Sequence, residues 1–511
     1  MKKLAVIFFV IIALPIAQIA FFATSDNEIP QAVDLHQSFS NLDNSLNFFS
    51  SKLTISSIYN AQDYIGLQEG VWENRLTGNN VTVAVIDTGI FSNHSAFTND
   101  GKLNWSERII KYYDLITNTS DIPQDDNGHG TWVASILGGN CSDYQGVAPG
   151  VNLVILRIFD SSGETSISVF ENAINWVIQN KEVYNIKIVS MSFGAKPEAN
   201  NIVEIAYLQQ VVRRLVDKGI LVVAAAGNDG SSSQTSGDGT INAPASDRKV
   251  LAVGGVDYDG EMYPFSSMGP TFEFVKKPDV CAPAVGIYGA DTDFQDDYIF
   301  RSGTSGATPF VAGLAALMLE KNENLTPLQL KSILSFSSLK TLNPKTLQDN
   351  IQGWGVIQGY AALESLNDAV LLNGSTEIGF TLNQNYSVYC LPIRLNPNYY
   401  YFELNQLGSV HAEMYLFKAT PNEYGMPNLV SHTISQLVPN NSPKRMGVFS
   451  NTAQNYFLVV KSIQRESGSF LIRLVFEYRN FVFIFLFGTS IISLIYVGKL
   501  TINLKKRDRI K

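Results

Sequence analysis

Short apolar runs alternate with helical repeats through the middle of the chain. Apolar runs of strand length occupy residues 81–86, 153–158, 186–191 and 220–226, and amphipathic helical patterns occupy 168–179 and 203–216. Strands that are buried on both faces of a parallel sheet read as continuous apolar runs, and the helices between them cover those faces. The pattern therefore predicts an α/β fold with a parallel sheet, helices on both faces, and a site at the carboxyl ends of the strands.

The pattern changes beyond residue 373. Runs rich in β-branched and aromatic residues occupy 399–404, 456–461 and 469–478, and Asn, Pro and Gly residues separate them. Runs of this kind, bounded by turn residues, are typical of strands. We therefore expect a small β-sandwich-like domain over residues 371–478, which follows the α/β domain.

Both ends of the chain carry apolar segments. Residues 1–23 begin Met-Lys-Lys and continue as an apolar run, which predicts a secretory signal peptide or, alternatively, an uncleaved N-terminal anchor. Residues 24–60 would then be a short N-terminal or propeptide segment. Residues 481–498 carry no charge and, at about 1.5 Å per residue, approach the roughly 30 Å hydrocarbon core of a bilayer. We predict a transmembrane helix there rather than a buried terminal helix, because the basic tail at 499–511 is typical of a cytoplasmic flank.

Composition narrows the class of protein. The 511 residues are 45% hydrophobic and 16% charged, which is enough for a large core and a second domain. The net charge of −9 argues against a nucleic-acid partner. The three cysteines, Cys141, Cys281 and Cys390, lie far apart without the spacing of metal ligands, and this excludes a disulfide-dense scaffold.

Three short segments carry an aspartate, a histidine and a serine in that order. Asp87 ends an apolar run, His129 lies between glycines at the start of a helical pattern, and Ser305 follows a Gly-Thr pair at the start of another. A serine hydroxyl attacks a peptide carbonyl when a base accepts its proton and an acid holds that base in one tautomer. Singly, such segments are often a strand-ending turn or a helix cap. Together they favour a serine hydrolase.

At these residues the chain resembles the subtilisin-like serine proteases. Further similar segments follow in the family's order at 77–80, 146–149, 190–194, 225–228 and 353–355. The resemblance implies a subtilisin-like catalytic domain over residues 61–370. Among the five histidines only His129 has the Gly-His-Gly-Thr frame. His94 is expected to order the loop around Asp87 rather than to act as the base.

The resemblance also implies a role for each residue. Ser305 would attack the scissile carbonyl, His129 would accept its proton, and Asp87 would orient and stabilise the imidazolium. The side-chain amide of Asn228 and the backbone N–H of Ser305 would bind the oxyanion.

Substrate binding is assigned to two short segments by the same resemblance, and their residues are Ser192, Phe193, Gly194, Ala225, Ala226 and Gly227. The first three would pair through their backbone with an extended peptide. The last three are small and would line the first specificity pocket, which permits a large apolar side chain before the cut. Residues 231–243 form either the floor of that pocket or a plain surface connection.

Besides the short segment at 24–60, where relatives commonly carry a larger propeptide, the chain departs from the family's pattern in two places. The loop 138–144 lacks the longer insertion that makes a strong calcium site in some relatives. No cofactor is expected for the chemistry, and whether the chain binds structural calcium is left open. Acidic loops such as those at 125–126 and 257–259 are more often simply solvated.

Many relatives carry methionine after the catalytic serine, where this chain has Gly306. We expect Gly306 to leave extra room beside Ser305 and to make the activity resistant to peroxide.

These observations predict a membrane-anchored serine endopeptidase whose catalytic domain faces outward and which works through an acyl-enzyme intermediate. Its partners would be protein or peptide substrates and, through the C-terminal helix, the membrane. The alternative is an inactive subtilisin-like fold retained as a surface-binding module. The intact catalytic residues argue against that alternative.

Overall fold

The computed structural model describes most of the chain between residues 61 and 476. The described residues are 61–67, 76–98, 107–120, 122–141, 144–230, 239–344, 346–372, 376–383, 387–406, 411–433, 443–463 and 467–476. The predicted N-terminal segments 1–23 and 24–60, the predicted membrane helix 481–498 and the basic tail 499–511 lie outside them.

A seven-stranded parallel sheet forms the centre of the first domain. The strands up to the end of this domain are β1 (Thr82–Asp87), β2 (Ile109–Asp114), β3 (Asn140–Cys141), β4 (Tyr144–Gln145), β5 (Asn152–Arg157), β6 (Ile186–Met191), β7 (Leu221–Ala225), β8 (Leu251–Val256), β9 (Val280–Pro283), β10 (Ile287–Ala290) and β11 (Tyr298–Arg301). The sheet has the order β2-β5-β1-β6-β7-β8-β9, and β3-β4 and β10-β11 form two separate antiparallel pairs. All neighbours in the large sheet are parallel.

Helices cover both faces of this sheet. They are α1 (His129–Gly138), α2 (Ile167–Asn180), α3 (Ile202–Asp217), α4 (Thr304–Lys321), α5 (Pro327–Phe336) and α6 (Gly359–Glu364), with a 3-10 turn at Ser95–Phe97. Val83 and Val85 of β1 share one core cluster with α1 and α4. Ala84 and Ile86 share the other with α2 and α3. Successive side chains of a strand point to opposite faces of the sheet, and here they pack against different helices. The predicted α/β fold with helices on both faces is therefore confirmed.

A β-rich region follows, as predicted. Its strands are β12 (Val370–Leu371), β13 (Thr376–Leu382), β14 (Val388–Leu395), β15 (Asn398–Gln406), β16 (Ala412–Lys418), β17 (Asn428–His432), β18 (Lys444–Ser450), β19 (Gln454–Ser462) and β20 (Gly468–Phe476). They form a five-stranded sheet, β12-β14-β19-β16-β17, and a four-stranded sheet, β13-β20-β15-β18. Residues from both sheets share one apolar core, as in a sandwich.

The five-stranded sheet also packs against the α/β domain. The ring of Phe336 in α5 stacks on Phe417 of β16, with 5.4 Å between centroids. The ammonium group of Lys461 in β19 donates a hydrogen bond to the carbonyl oxygen of Ser338. Burial lowers the pKa of Lys461 to about 7. The β-rich region therefore covers apolar surface of the α/β domain, and removing it would expose that surface.

Among the helices that the structure describes, none is long and apolar enough to cross a membrane. The predicted span at 481–498 stays a prediction, since it lies outside the described part of the chain.

Candidate active site

Asp87 and His129 meet at the carboxyl edge of the sheet. Asp87 is the last residue of β1, which lies between β5 and β6, and His129 is the first residue of α1. The Nδ1 atom of His129 lies 2.7 Å from Oδ1 of Asp87. Asp87 is 1% exposed, and its Oδ1 also accepts the backbone N–H of Thr88 at 2.8 Å. The buried carboxylate therefore fixes the imidazole with Nδ1 as the donor.

The surroundings of His129 set its pKa. Burial acts to lower the pKa, but the charge of Asp87 and its hydrogen bond raise it above the usual value for histidine. The positive charge of Arg301 opposes this rise, and the negative charge of Asp125 adds to it. The net result is a base that becomes neutral, and able to accept a proton, only above its raised pKa.

The side chain of Asp125 forms hydrogen bonds both to the residue after β1 and to the start of α1, a role that the sequence did not indicate. Its Oδ1 accepts from the hydroxyl of Thr88 at 2.8 Å and from the backbone N–H of Gly128 at 2.9 Å. Its Oδ2 accepts from both the N–H and the hydroxyl of Thr131, at 2.8 and 2.6 Å. The expectation of a simply solvated acidic loop is wrong for Asp125. Its carboxylate is buried, and both of its oxygens accept hydrogen bonds from the residues that follow β1 and begin α1.

Steric crowding explains why a glycine, Gly130, follows His129. A Cβ built on Gly130 would lie 2.4 Å from the carbonyl oxygen of Gly89. Any side chain at this position would push α1 away from the end of β1 and lengthen the Asp87–His129 contact. The Gly-His-Gly frame therefore permits the close approach of the two segments.

Ser305 lies in the first turn of α4, next to the end of β6. Its hydroxyl donates to the carbonyl oxygen of Ser192 at 2.8 Å, and the hydroxyl of Ser192 donates to the carbonyl oxygen of Ser305 at 2.9 Å. In this rotamer the Ser305 hydroxyl is directed to the segment after β6 rather than to His129. Rotation about the Cα–Cβ bond moves only the hydroxyl, and catalytic hydrogen bonds often form fully only when substrate is bound.

Asn228 is held by the residue before the serine. Its Oδ1 accepts from the backbone N–H of Thr304 at 3.0 Å and from the hydroxyl of Thr304 at 3.1 Å. Because the carbonyl end of the side chain is anchored in this way, the amide Nδ2 is left to donate elsewhere. A Cβ built on Gly303 would lie 3.3 Å from Nδ2. The amide therefore lies beside the turn that leads into Ser305.

The predicted substrate segments follow β6 and end β7. Ser192, Phe193 and Gly194 come directly after β6, and Ala225, Ala226 and Gly227 run from the last residue of β7. The Phe193 ring packs against Phe159, with 4.8 Å between centroids, so the side chain serves the core. Of the predicted pocket floor, residues 231–238 lie outside the described part, and Asn242 lies against Gly194 and Gly227.

The expectation of extra room beside Ser305 is wrong. Trp132, in α1, fills that space: a Cβ built on Gly306 would lie 2.7 Å from Cη2 of its ring. A Cβ built on Gly289 would lie 2.3 Å from Cδ1 of the same ring, and Nε1 donates to the carbonyl oxygen of Ile287 at 3.1 Å. Two glycines therefore accommodate one buried tryptophan, whose ring lies 5.9 Å from that of His129. The sequence shows Trp132 only as an apolar helical residue, so this contact was missed.

Gly306→Met is expected to destabilise the fold as well as to introduce an oxidisable side chain. A side chain at this position meets the Trp132 ring, and overpacking of this kind costs about 1–3 kcal/mol. Urea unfolding of wild type, Gly306→Met, Trp132→Leu and the double variant measures the effect. We expect the double variant to be more stable than the sum of the single losses predicts. Wild-type stability for Gly306→Met would contradict the contact, and residual activity after peroxide tests the oxidation.

His94 is not placed to act as a base. Its Nδ1 accepts from the backbone N–H of Ala96 at 3.0 Å, and its Nε2 lies 2.7 Å from the carbonyl oxygen of Asp297. Both ring nitrogens are therefore occupied. The residue caps the turn in the loop that follows Asp87 and ties it to the segment between β10 and β11, which agrees with the expected role of ordering that loop.

In the described part of the chain, no group of three or more His, Cys, Asp or Glu side chains lies close enough together to hold a metal ion. Of the acidic loops, Asp126 pairs with Arg157 at 2.8 Å, and Asp257 accepts the backbone N–H groups of Asp259 and Glu261.

The cysteines are free thiols. Cys281 and Cys390 are buried, and burial raises the pKa of each to about 12. Such thiols are unreactive packing groups at neutral pH.

A parallel α/β sheet that brings a buried aspartate bonded to histidine, and a serine at a helix start, to the same edge is the arrangement expected of a serine hydrolase. Comparison with known proteins gives the family. A model of the subtilase family matches residues 78–355. Serine protease AprX of Bacillus subtilis (strain 168) is 34% identical over 308 residues, which are 55% of this chain and 66% of that protein. Subtilisin DY of Bacillus licheniformis is 35% identical over 260 residues, 50% of this chain and 83% of that protein.

A crystal structure of a cold adapted subtilisin-like serine proteinase aligns with a TM-score of 0.44 and 31% identity, over 55% of this chain and 90% of that one. The family match spans more than half of the chain. The chain therefore belongs to the subtilase family, and its first domain is that of a subtilisin-like serine peptidase.

Proposed function

We propose that this protein is a serine endopeptidase that uses Asp87, His129 and Ser305. The observation that carries the proposal is the 2.7 Å contact between His129 and the buried Asp87, at the same sheet edge as the start of the Ser305 helix. The contact places a proton on Nδ1 and leaves Nε2 as the basic nitrogen, the arrangement that general-base catalysis requires.

The reaction begins when Ser305 turns from Ser192 toward His129 and attacks the scissile carbonyl. His129 accepts the hydroxyl proton on Nε2, and the carbonyl becomes a tetrahedral oxyanion. His129 then gives that proton to the leaving amine, which departs and leaves an acyl-enzyme on Ser305. Water then attacks the acyl carbonyl while His129 takes its proton, and a second tetrahedral oxyanion forms. It collapses as His129 returns the proton to the oxygen of Ser305, and the acyl group leaves as a carboxylic acid. Asp87 stays ionised and stabilises the imidazolium in both steps.

The oxyanion is bound by the Nδ2 amide of Asn228 and the backbone N–H of Ser305. The anchoring of Asn228 Oδ1 on Thr304 supports this role, because it fixes the direction of the amide before charge develops. The positive end of α4 adds to the stabilisation, since Ser305 lies in its first turn.

An extended peptide binds along Ser192, Phe193 and Gly194, and the residue before the cut enters the pocket lined by Ala225, Ala226 and Gly227. The packing of Phe193 into the core supports this, because it leaves backbone groups rather than a side chain for the substrate.

The endopeptidase proposal is tested with a denatured protein substrate and mass spectrometry of the products. Internal cleavages that disappear in Ser305→Ala are expected. Tight binding of the substrate without any cleavage would favour the surface-binding module instead.

We further propose that residues 481–498 anchor the protein in a membrane with the catalytic domain outside. The uncharged length of this segment and the basic residues that follow it support the proposal.

Ending the chain after Arg479 is expected to release soluble, active enzyme, because the β-rich region that covers the catalytic domain is kept. Fractionation of cells into membrane and medium, with peptidase assays of each, measures the release. Retention of the shortened chain in membranes would contradict the C-terminal anchor and point to residues 1–23. Proteolysis of intact cells that spares the catalytic domain would contradict its outward orientation.

A further inference from the structure

A short turn of the α/β domain carries two exposed phenylalanine rings. Phe272 and Phe274 are 68% and 88% exposed. The backbone of Phe274 has a φ of 58°, a left-handed conformation that bulky residues rarely adopt and glycine adopts freely. The turn is nevertheless well closed, because Thr271 accepts the N–H of Phe274 at its carbonyl oxygen and the N–H of Val275 at its hydroxyl, at 2.8 and 3.2 Å. The fold therefore holds both rings in solvent at a cost in backbone strain.

This turn lies at the amino edge of the parallel sheet, where the strands begin. The ammonium group of Lys277 donates to the carbonyl oxygen of Val250, the residue before β8, at 2.7 Å. Glu273, between the two rings, accepts from Nε of Arg248 at 3.4 Å. Asp87 ends β1 and so lies at the opposite edge. The rings and the catalytic residues are therefore separated by about the length of a strand, roughly 17–20 Å.

One end of the β-rich region lies beside the same turn. The ring of Tyr424, between β16 and β17, lies 5.5 Å from Cζ of Arg248. The strands β14 and β16 both end here, opposite the first residues of β19, and β15 begins three positions after β14 ends. Phe476, the last residue of β20, pairs with Tyr400 near the start of β15. The chain therefore leaves the β-rich region at the end that adjoins the phenylalanine turn.

Exposed apolar side chains gather at this end. In the described part of the β-rich region, the exposed large apolar side chains are Leu371, Leu429 and Phe449. Each pairs with a residue one position from this end of β14, β16 or β15. Exposed apolar surface that is concentrated in one place marks an interaction site more often than scattered residues do. We call this surface the apolar end, and it consists of Phe272, Phe274, Leu371, Leu429 and Phe449.

The course of the chain beyond β20 indicates what covers the apolar end. Residues 481–498 form the proposed membrane span. Five positions separate Phe476 from residue 481, and even a fully extended chain covers at most about 18 Å over that length. If the span is inserted, the end from which β20 leaves is thus held close to the outer surface of the bilayer.

We infer that the apolar end contacts the bilayer that holds residues 481–498, so that the catalytic cleft, at the opposite edge of the sheet, opens away from the membrane. The inference rests on the proposed membrane anchor. Aromatic and aliphatic side chains enter the boundary between headgroups and acyl chains. The charges of Arg248 and Glu273 pair with each other, so a neutral lipid surface suits this end. The span retains the protein in the bilayer, and the apolar end sets its orientation.

Fluorescence quenching in phosphatidylcholine vesicles tests the inference on the full chain. Cys141→Ser removes the partly exposed thiol, while Cys281 and Cys390 are buried. A fluorophore is attached at Lys276→Cys, next to the phenylalanine turn, and lipids with a nitroxide on the acyl chain quench a label that lies at the bilayer surface. We expect most of the emission to be lost. The same label at Val203→Cys should keep its emission, because Val203 is 84% exposed at the start of α3, which follows the carboxyl end of β6.

The double variant Phe272→Ser, Phe274→Gly tests the two rings themselves. Glycine suits the left-handed φ, so the turn should be kept and the midpoint of urea unfolding should rise. Quenching of the label at 276 should fall at least twofold, while cleavage of a soluble peptide stays unchanged. Phe294→Ser is the matched control: it removes another ring that is 70% exposed, beside the loop after Asp87, and should leave the quenching unchanged. A lower midpoint for the double variant, with unchanged quenching, would show that the rings serve the fold instead.

Three outcomes would overturn the inference, and flotation of the vesicles separates them. Equal quenching at residues 276 and 203, in vesicles that retain the chain, defeats the inference and leaves the anchor intact. Protection of the label at 276 from aqueous iodide without quenching by lipid also defeats it, and indicates a second copy or another segment of protein on this surface. A chain that does not float with the vesicles defeats the proposed anchor and the inference with it. Peptide cleavage by the same preparation reports the peptidase activity independently.

Discussion

Replacing Ser305 with alanine is expected to lower kcat for peptide hydrolysis by about 10⁶, a size that is borrowed from measurements on subtilisin itself. The reason is chemical, since the variant has no hydroxyl to form the acyl-enzyme. The fold should be kept, because only the hydrogen bond to the carbonyl oxygen of Ser192 is lost and the reciprocal bond from Ser192 to the backbone of residue 305 remains.

Steady-state assays of wild type and Ser305→Ala on one peptide measure this loss, and circular dichroism with thermal unfolding verifies the fold. Ser192→Ala is the matched control, because it removes the other hydroxyl of the same pair and leaves the nucleophile. Its kcat should stay far above that of Ser305→Ala. Equal activity of Ser305→Ala and wild type would contradict the assignment.

Replacing Asp87 with asparagine is expected to lower kcat by about 10⁴, the size known for such a change in a Ser-His-Asp enzyme. The Nδ1 atom of His129 now donates to Oδ1 of Asp87. An asparagine amide turned toward the imidazole would hold the tautomer in which Nε2 carries the proton, and Nε2 could then no longer accept one. The shape of the site would change little, since the two side chains have the same size.

The same variant should also change the pH dependence. Activity needs neutral His129, so it falls as the pH drops through the pKa of this residue. The charge and the hydrogen bond of Asp87 raise that pKa, so Asp87→Asn should lower it. The residual activity of the variant should therefore persist to lower pH than that of wild type. A pH profile of kcat/KM measures the shift, and an acid limb that moves upward would contradict the role of Asp87.

The elements that carry the site follow directly from the apolar pattern. The run at 186–191 is the whole of β6, and the predicted helix at 168–179 falls inside α2 (Ile167–Asn180) with one residue added at each end. Such segments are predictable because their length and periodicity are local properties. The chain order of Asp87, His129 and Ser305 is likewise a property of the sequence itself.

The contacts of the residues that surround the site could not be predicted from the sequence in the same way. Asp125 looks like part of a solvated loop until its carboxylate is seen to accept bonds from Thr88 and Thr131. Trp132 and Gly306 are 174 positions apart in chain number yet occupy one space, and Asn242 meets Gly194 and Gly227 only after the sheet has formed. These contacts depend on tertiary packing, and no local pattern encodes it.

Labelling with a fluorophosphonate, followed by peptide mapping, tests the account most directly. The oxygen of an activated serine displaces fluoride from this reagent and becomes phosphonylated. The account predicts one adduct, on Ser305, in the wild type. It predicts no adduct in Ser305→Ala and a strongly reduced one in His129→Ala, because the hydroxyl is then not activated. Equal labelling of wild type and Ser305→Ala, or an adduct on a different serine, would contradict it.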